Sequence, residues 1–123
     1  MLVKTNGILA LVPAAEQSDK VGYGFELSSG KASVCNAATD IPLGVILNGE
    51  GITGLSSIAV GGGFSGTCKV KLGGTVAQGA LGQLTATGTV ITDAGTGARV
   101  IVCRFLEGGV IDELVEAVIF LPA

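Results

Sequence analysis

The side chains able to do chemistry are few and widely spaced. Cys35, Cys68 and Cys103 form no C-x-x-C pair, so neither a zinc knuckle nor a dithiol redox site is signalled. Cys68 and Cys103 sit in apolar runs and read as small buried hydrophobes. Gly61-Gly-Gly-Phe-Ser-Gly66 has the spacing of a phosphate-cradling loop, but that chemistry needs a helix after it, and the β-like run Thr67-Cys-Lys-Val-Lys-Leu72 follows instead. Asp93-Ala-Gly-Thr-Gly97 offers one carboxylate where proton sharing needs two, so a glycine-rich turn is the better account. Glu50 and Glu107 both precede a glycine and could pair as catalytic or cation-binding carboxylates, yet no acidic ligand loop surrounds either. Lys69 and Lys71 alternate with Val70 and Leu72, which puts both ammonium groups on one, solvated strand face. Asp112, Glu113 and Glu116 read as a solvated end.

The chain has no His at all, which excludes imidazole acid–base pairs, His-ligated metals and the Ser-His-Asp triad. Neither a cofactor nor a metal is expected. Net charge is −3 and the pI about 4.7, against a nucleic-acid footprint. Charged residues make up 14% of the 123, below the roughly 25% of soluble domains, and mean hydropathy is +0.67. A spanning helix needs about 20 nearly continuous apolar residues. The longest runs here, Ile8 to Val12, Val100 to Cys103 and Ala117 to Leu121, are far shorter, so no membrane partner is expected. A small, poorly charged domain is instead expected to hide surface in an oligomer or on a larger partner.

What must position these side chains is β structure. Runs rich in Val, Ile, Leu and Thr, punctuated by Gly, Asn, Asp and Ser, predict strands over 7–12, 24–27, 32–36, 43–47, 57–60, 67–72, 83–86, 89–92, 99–105 and 115–121. Hairpins are expected at Leu27-Ser-Ser-Gly-Lys-Ala-Ser-Val34 and Leu84-Thr-Ala-Thr-Gly-Thr-Val90. Asp112 could cap a helix over the next residues, but their β-branched content and Pro122 favour a strand.

Sliding the sequence by 57 positions aligns Gly22 with Gly79, Leu27 with Leu84, Ala37 with Ala94, Val45 with Val102, Glu50 with Glu107 and Gly51 with Gly108. The hairpin glycines, Gly30 and Gly88, miss by one. This points to an internal duplication, with halves over about 20–60 and 77–121 and residues 61–74 as the link. The expected fold is all-β: a small β-barrel, a β-tulip-like domain or a sandwich, as one domain over 14–123. Residues 1–13 lie outside the repeat and are expected to be an extended N-terminal arm. Such an arm is either a first core strand or one that adds to a neighbour.

Val21-Gly-Tyr-Gly-Phe-Glu-Leu-Ser-Ser-Gly-Lys31 and Pro42-Leu-Gly-Val45, with Gly79-Ala-Leu-Gly-Gln-Leu-Thr-Ala-Thr-Gly-Thr-Val90 and Val102-Cys-Arg-Phe-Leu-Glu-Gly-Gly109, resemble the small capsid decoration, or head cement, proteins of tailed bacteriophages. The second copy departs from the Pro-Leu-Gly-Val pattern with Arg99-Val-Ile-Val102. The resemblance implies a non-enzymatic virion protein, made in the host cytoplasm, that binds the capsid surface as a homotrimer and stiffens the expanded shell. The major capsid protein is then its partner. In that family the arm often contacts the shell, which makes Leu2, Val3, Lys4, Thr5, Ile8, Leu9 and Leu11 the candidate capsid-binding residues. Alternatives are another virion part, such as a tail-tube or fibre-base protein, and a small-ligand or carbohydrate-binding β-barrel using Tyr23, Phe25 and Phe64 near loops.

Overall fold

The structure is a computed structural model that describes residues 8–11, 20–28, 30–42, 44–48, 56–60 and 67–119. Ten strands occur among them and no helix. They are β1 (Ile8–Leu11), β2 (Gly24–Ser28), β3 (Lys31–Val34), β4 (Gly44–Asn48), β5 (Ser56–Val60), β6 (Cys68–Lys71), β7 (Leu81–Leu84), β8 (Val90–Thr92), β9 (Ile101–Phe105) and β10 (Leu114–Ile119). All ten fall where the apolar runs predict them. The largest shift is β7, which ends at Leu84 because Thr85 to Gly88 close a turn: the Gly88 amide donates to the Thr85 carbonyl and the Thr85 amide to the Thr89 carbonyl. The helix competitor after Asp112 is a strand.

The strands form two five-stranded antiparallel sheets with the orders β1-β5-β4-β2-β3 and β6-β10-β9-β7-β8. These are one topology used twice. The protein is therefore all-β and sandwich-like rather than a closed barrel. Only a single bridge, Leu72 with Val90, ties the β6 edge of the second sheet back to its β8 edge.

The pairings give the duplication its true register. Gly24 opposite Val45 becomes Leu81 opposite Arg104, an offset of 57 on β2 and 59 on β4. Glu26 opposite Ser33 becomes Gln83 opposite Ile91, an offset of 58 on β3, which accounts for the one-residue miss of Gly30 and Gly88. Ile46 opposite Ile58 becomes Phe105 opposite Ala117, and Leu9 opposite Ile58 becomes Cys68 opposite Ala117, both at 59. The counterpart of Val45 is thus Arg104, not Val102. The repeat also extends further than the sequence pairs indicate. β1 is the counterpart of β6, so the segment that reads as a link carries the first strand of the second copy.

The core takes Cys35 and Val45 from the first half and Val70, Leu72, Leu84, Val102, Cys103, Phe105 and Val115 from the second, all buried. Period-two alternation is visible on β6, where Cys68 and Val70 are buried and Lys69 is exposed. The halves also touch by backbone. The Lys71 amide donates to the Gly22 carbonyl at 3.0 Å, and the Gly24 amide to the Gly88 carbonyl at 2.8 Å.

Candidate functional site

Of the seven candidate capsid-binding residues, Leu2, Val3, Lys4 and Thr5 lie outside the described residues. Ile8, Leu9 and Leu11 are in β1, paired with β5 of the same sheet: Ile8 with Ala59, Leu9 with Ile58, Leu11 with Ser56. Residues 8–11 thus serve as a strand of the chain's own sheet. Glu50, Phe64 and the Gly61–Gly66 motif also lie outside the described residues.

Among the described residues, the exposed large apolar side chains are six. Leu106, Val110 and Ile111 lie in the β9–β10 connection and Leu114 opens β10, while Leu27 is in β2 and Ile41 precedes β4. Ile41 is 65% and Ile111 59% exposed, although burial of such a side chain is worth about 1.5–3 kcal/mol. The connection that carries Ile111 is tied down by backbone hydrogen bonds. The Asp112 amide donates to the Leu72 carbonyl, the Leu72 amide to the Glu113 carbonyl, and the Glu113 amide to the Val110 carbonyl. The Glu113 carboxylate accepts from the Val110 amide. No sequence signal separates these residues from core ones, because a Val-Ile pair reads as buried whichever side of a turn it falls on.

The polar groups singled out in the sequence hold structure. Lys69 sits 3.9 Å from Glu107 and 4.0 Å from Glu116, and Glu107 also accepts the Glu116 amide. Asp93 is ion-paired with Arg99, whose side chain also donates to the Gly97 carbonyl, and the Ala94 amide donates to Gln83. The turn is thereby clamped at both ends, and the hydrogen bond from Arg99 holds the Asp93 carboxyl below its usual range. All three cysteines are free thiols and buried. Burial pushes Cys35 and Cys103 up to about 12 and Cys68 to about 11, as inert core positions require.

One cluster was not foreseen. Glu26 on β2, Cys35 after β3 and Asp40 bring their ligand atoms within 4.8 Å of one another. Asp40 Oδ2 accepts the Asn36 and Ala37 amides at 3.1 and 3.0 Å, which closes the loop that sets its carboxylate beside Glu26. Burial first, and then the neighbouring Asp40 charge, raise the Glu26 carboxyl above its ordinary value.

A second feature is a cavity of about 480 Å³ lined by residues of both halves, among them Tyr23, Thr85, Thr87, Thr89 and Asp112. Its threonines are legible in hindsight. Thr-Ala-Thr-Gly-Thr places a hydroxyl at every second residue, and the turn that joins β7 to β8 brings the three together.

Neither protein-family models nor curated proteins give a match to this chain.

Proposed function

We propose that this chain is a structural virion protein that binds the outside of a tailed-bacteriophage capsid and stabilises the expanded shell, acting without catalysis. The observation that carries the reading is the set of large aliphatic side chains held in solvent on hydrogen-bonded turns, Ile41 and Ile111 foremost. In a chain with only 14% charged residues, such positions favour docking to another surface over solvation. The resemblance of residues 21–31, 42–45, 79–90 and 102–109 to head decoration proteins supports the major capsid protein as that surface. Homotrimeric association places several weak patches on one shell, and linked patches gain through effective concentration rather than individual strength.

The test is cosedimentation of the purified protein with expanded capsids that lack it, together with a solution mass measurement. Saturable binding, a raised melting temperature of the shell and a mass of three chains are expected. Ile111→Asp and Ile41→Asp should weaken binding while leaving the far-ultraviolet spectrum unchanged. A monomer that does not cosediment overturns the reading.

A further inference from the structure

Three side chains that can each offer a metal ion one ligand atom converge in the first copy of the duplicated unit. Glu26 lies opposite Ser33 in the β2–β3 hairpin, and the Cys35 amide donates to the Gly24 carbonyl at 2.9 Å, so the ladder runs on past β3. Alternation then puts Glu26 and Cys35 on one face as diagonal neighbours, a separation that a long side chain spans. Asp40 completes the group. Its amide donates to the Ala37 carbonyl, and its Oδ2 accepts the Asn36 and Ala37 amides. That fixes the carboxylate in place and leaves lone pairs for a further partner. The three ligand atoms lie within 4.8 Å of one another. Cys35 is 1% exposed, and its thiol makes no hydrogen bond to any other described residue. It is a buried polar group aimed at two carboxyl groups. Glu26 and Asp40 are only half-buried, which gives the cluster a route to solvent.

The second copy shows how the same place is filled when the chain supplies its own cation. The offsets of 57 on β2 and 58 on β3 set Gln83 against Glu26 and Asp93 against Cys35. The offset of 59, carried back from β4 into the loop before it, sets Arg99 against Asp40. There Asp93 is ion-paired with Arg99, and the neutral Gln83 accepts the Ala94 amide. In the first copy a carboxylate stands in place of the guanidinium and another in place of the amide. Residues 32–68 contain no Lys or Arg. Among the described residues, the ion pairs join Lys69 to Glu107 and Glu116 and Arg99 to Asp93, and none reaches Glu26 or Asp40.

Two carboxylates and a thiol without a cation favour one from outside, and the thiol decides which. Ca²⁺ and Mg²⁺ take oxygen ligands, whereas Zn²⁺ takes Cys sulfur together with Asp or Glu oxygen. Three protein ligands leave the fourth position of a tetrahedron to water, as in an open zinc site.

We propose that Glu26, Cys35 and Asp40 bind one Zn²⁺ ion per chain, the Cys35 thiol giving up its proton to solvent as it coordinates. None of the three is among the exposed apolar residues assigned to docking, and the inference does not rest on capsid binding.

The experiment is a titration of the whole chain, treated with chelator and kept reduced by a phosphine, with Co²⁺ as a spectroscopic stand-in, followed by competition with Zn²⁺. One equivalent of Co²⁺ should bind and give the near-ultraviolet charge-transfer band of a thiolate–cobalt bond. Zn²⁺ should displace it and raise the melting temperature of the chain, while a large excess of Ca²⁺ or Mg²⁺ should do neither. Cys35→Ala should abolish the band. Glu26→Gln, which matches Gln83 of the second copy, and Asp40→Asn, which keeps an acceptor for the two loop amides, should each weaken binding about tenfold or more, since loss of a group behind a ligand already costs that much. These two decide the matter if Cys35→Ala does not fold. Absence of uptake, uptake without a thiolate band, a band retained in folded Cys35→Ala, unchanged affinity in either carboxyl variant, or displacement by Ca²⁺ would overturn the proposal.

Discussion

The Gly24 amide donates to the Gly88 carbonyl at 2.8 Å, joining the first strand of one hairpin to the turn of the other. Gly88 has φ of 86°, and a Cβ built there would lie 2.6 Å from Val34 Cγ1 and 3.3 Å from both the Cys35 and Gly24 carbonyls. Its counterpart Gly30 has φ of 78° and nothing within 4 Å. The two substitutions to alanine should therefore differ. Gly30→Ala meets only the left-handed backbone penalty, about 1–2 kcal/mol. Gly88→Ala adds a steric term of about 1–3 kcal/mol. Urea denaturation of both variants checks the ranking, and equal losses would mean that the halves are not in contact at Gly88.

Phe105 and Gly82 form a second dependent pair. Phe105 is fully buried, and a Cβ on Gly82 would lie 2.8 Å from its Cζ, 2.7 Å from Cys103 Sγ and 2.6 Å from Val90 Cγ1. Phe105→Ala should cost about 3–5 kcal/mol. Gly82→Ala should also be strongly destabilising alone, yet cost less in the Phe105→Leu background, where the ring is gone. A double-mutant cycle should give a coupling of about 0.5–3 kcal/mol, as contacting residues do.

The thiols should be silent in the native state. With Cys35 and Cys103 near 12, about one thiol in ten thousand is ionised at pH 8, and only the thiolate attacks. Labelling with a disulfide reagent should therefore be slow for the folded chain and stoichiometric at three thiols in denaturant. Cys68, at about 11, should react first.

Two carboxyl groups should pull stability in opposite directions with pH. Glu26 is raised above 4.5, by burial and then by Asp40, so the native state binds its proton more tightly than the unfolded chain. Its contribution is complete below the unfolded pKa and disappears as pH rises through the folded one. Asp93 is lowered below 3.8 by Arg99, so its contribution is present above the unfolded pKa and lost as pH falls through the folded one. Urea midpoints should show Glu26→Gln above the wild type at pH 7, with the gap narrowing by pH 4. Asp93→Asn should fall below the wild type at pH 7, with its gap narrowing toward pH 2.

Strand positions and the existence of a duplication were legible because both rest on alternation and on glycine placement. The register was not. A slip of two residues leaves every side chain on the same face, so an apolar pattern scores equally at offsets of 57 and 59. The strand pairings separate them, as in Gly24 with Val45 against Leu81 with Arg104. The same ambiguity hid the kinship of β1 and β6, whose sequences, Ile-Leu-Ala-Leu and Cys-Lys-Val-Lys, share little beyond apolar character at alternate positions. Glu26, Cys35 and Asp40 escaped notice because a loop, not a motif, brings Asp40 back to β2. The exposed Val110 and Ile111 escaped because hydropathy carries no information about which side of a turn faces solvent.

The repeated strand order has a consequence for how the chain assembles. β5 lies between β1 and β4, and β10 lies between β6 and β9. In each copy, then, the opening strand has no partner in its sheet until the closing strand arrives. As the polypeptide leaves a ribosome, Ile8–Leu11 must wait for Ser56–Val60, and Cys68–Lys71 for Leu114–Ile119. Each wait ends within its own copy, so the chain closes two moderate loops in succession rather than one spanning its whole length. Loop-closure entropy and slow non-local pairing are both reduced by that division.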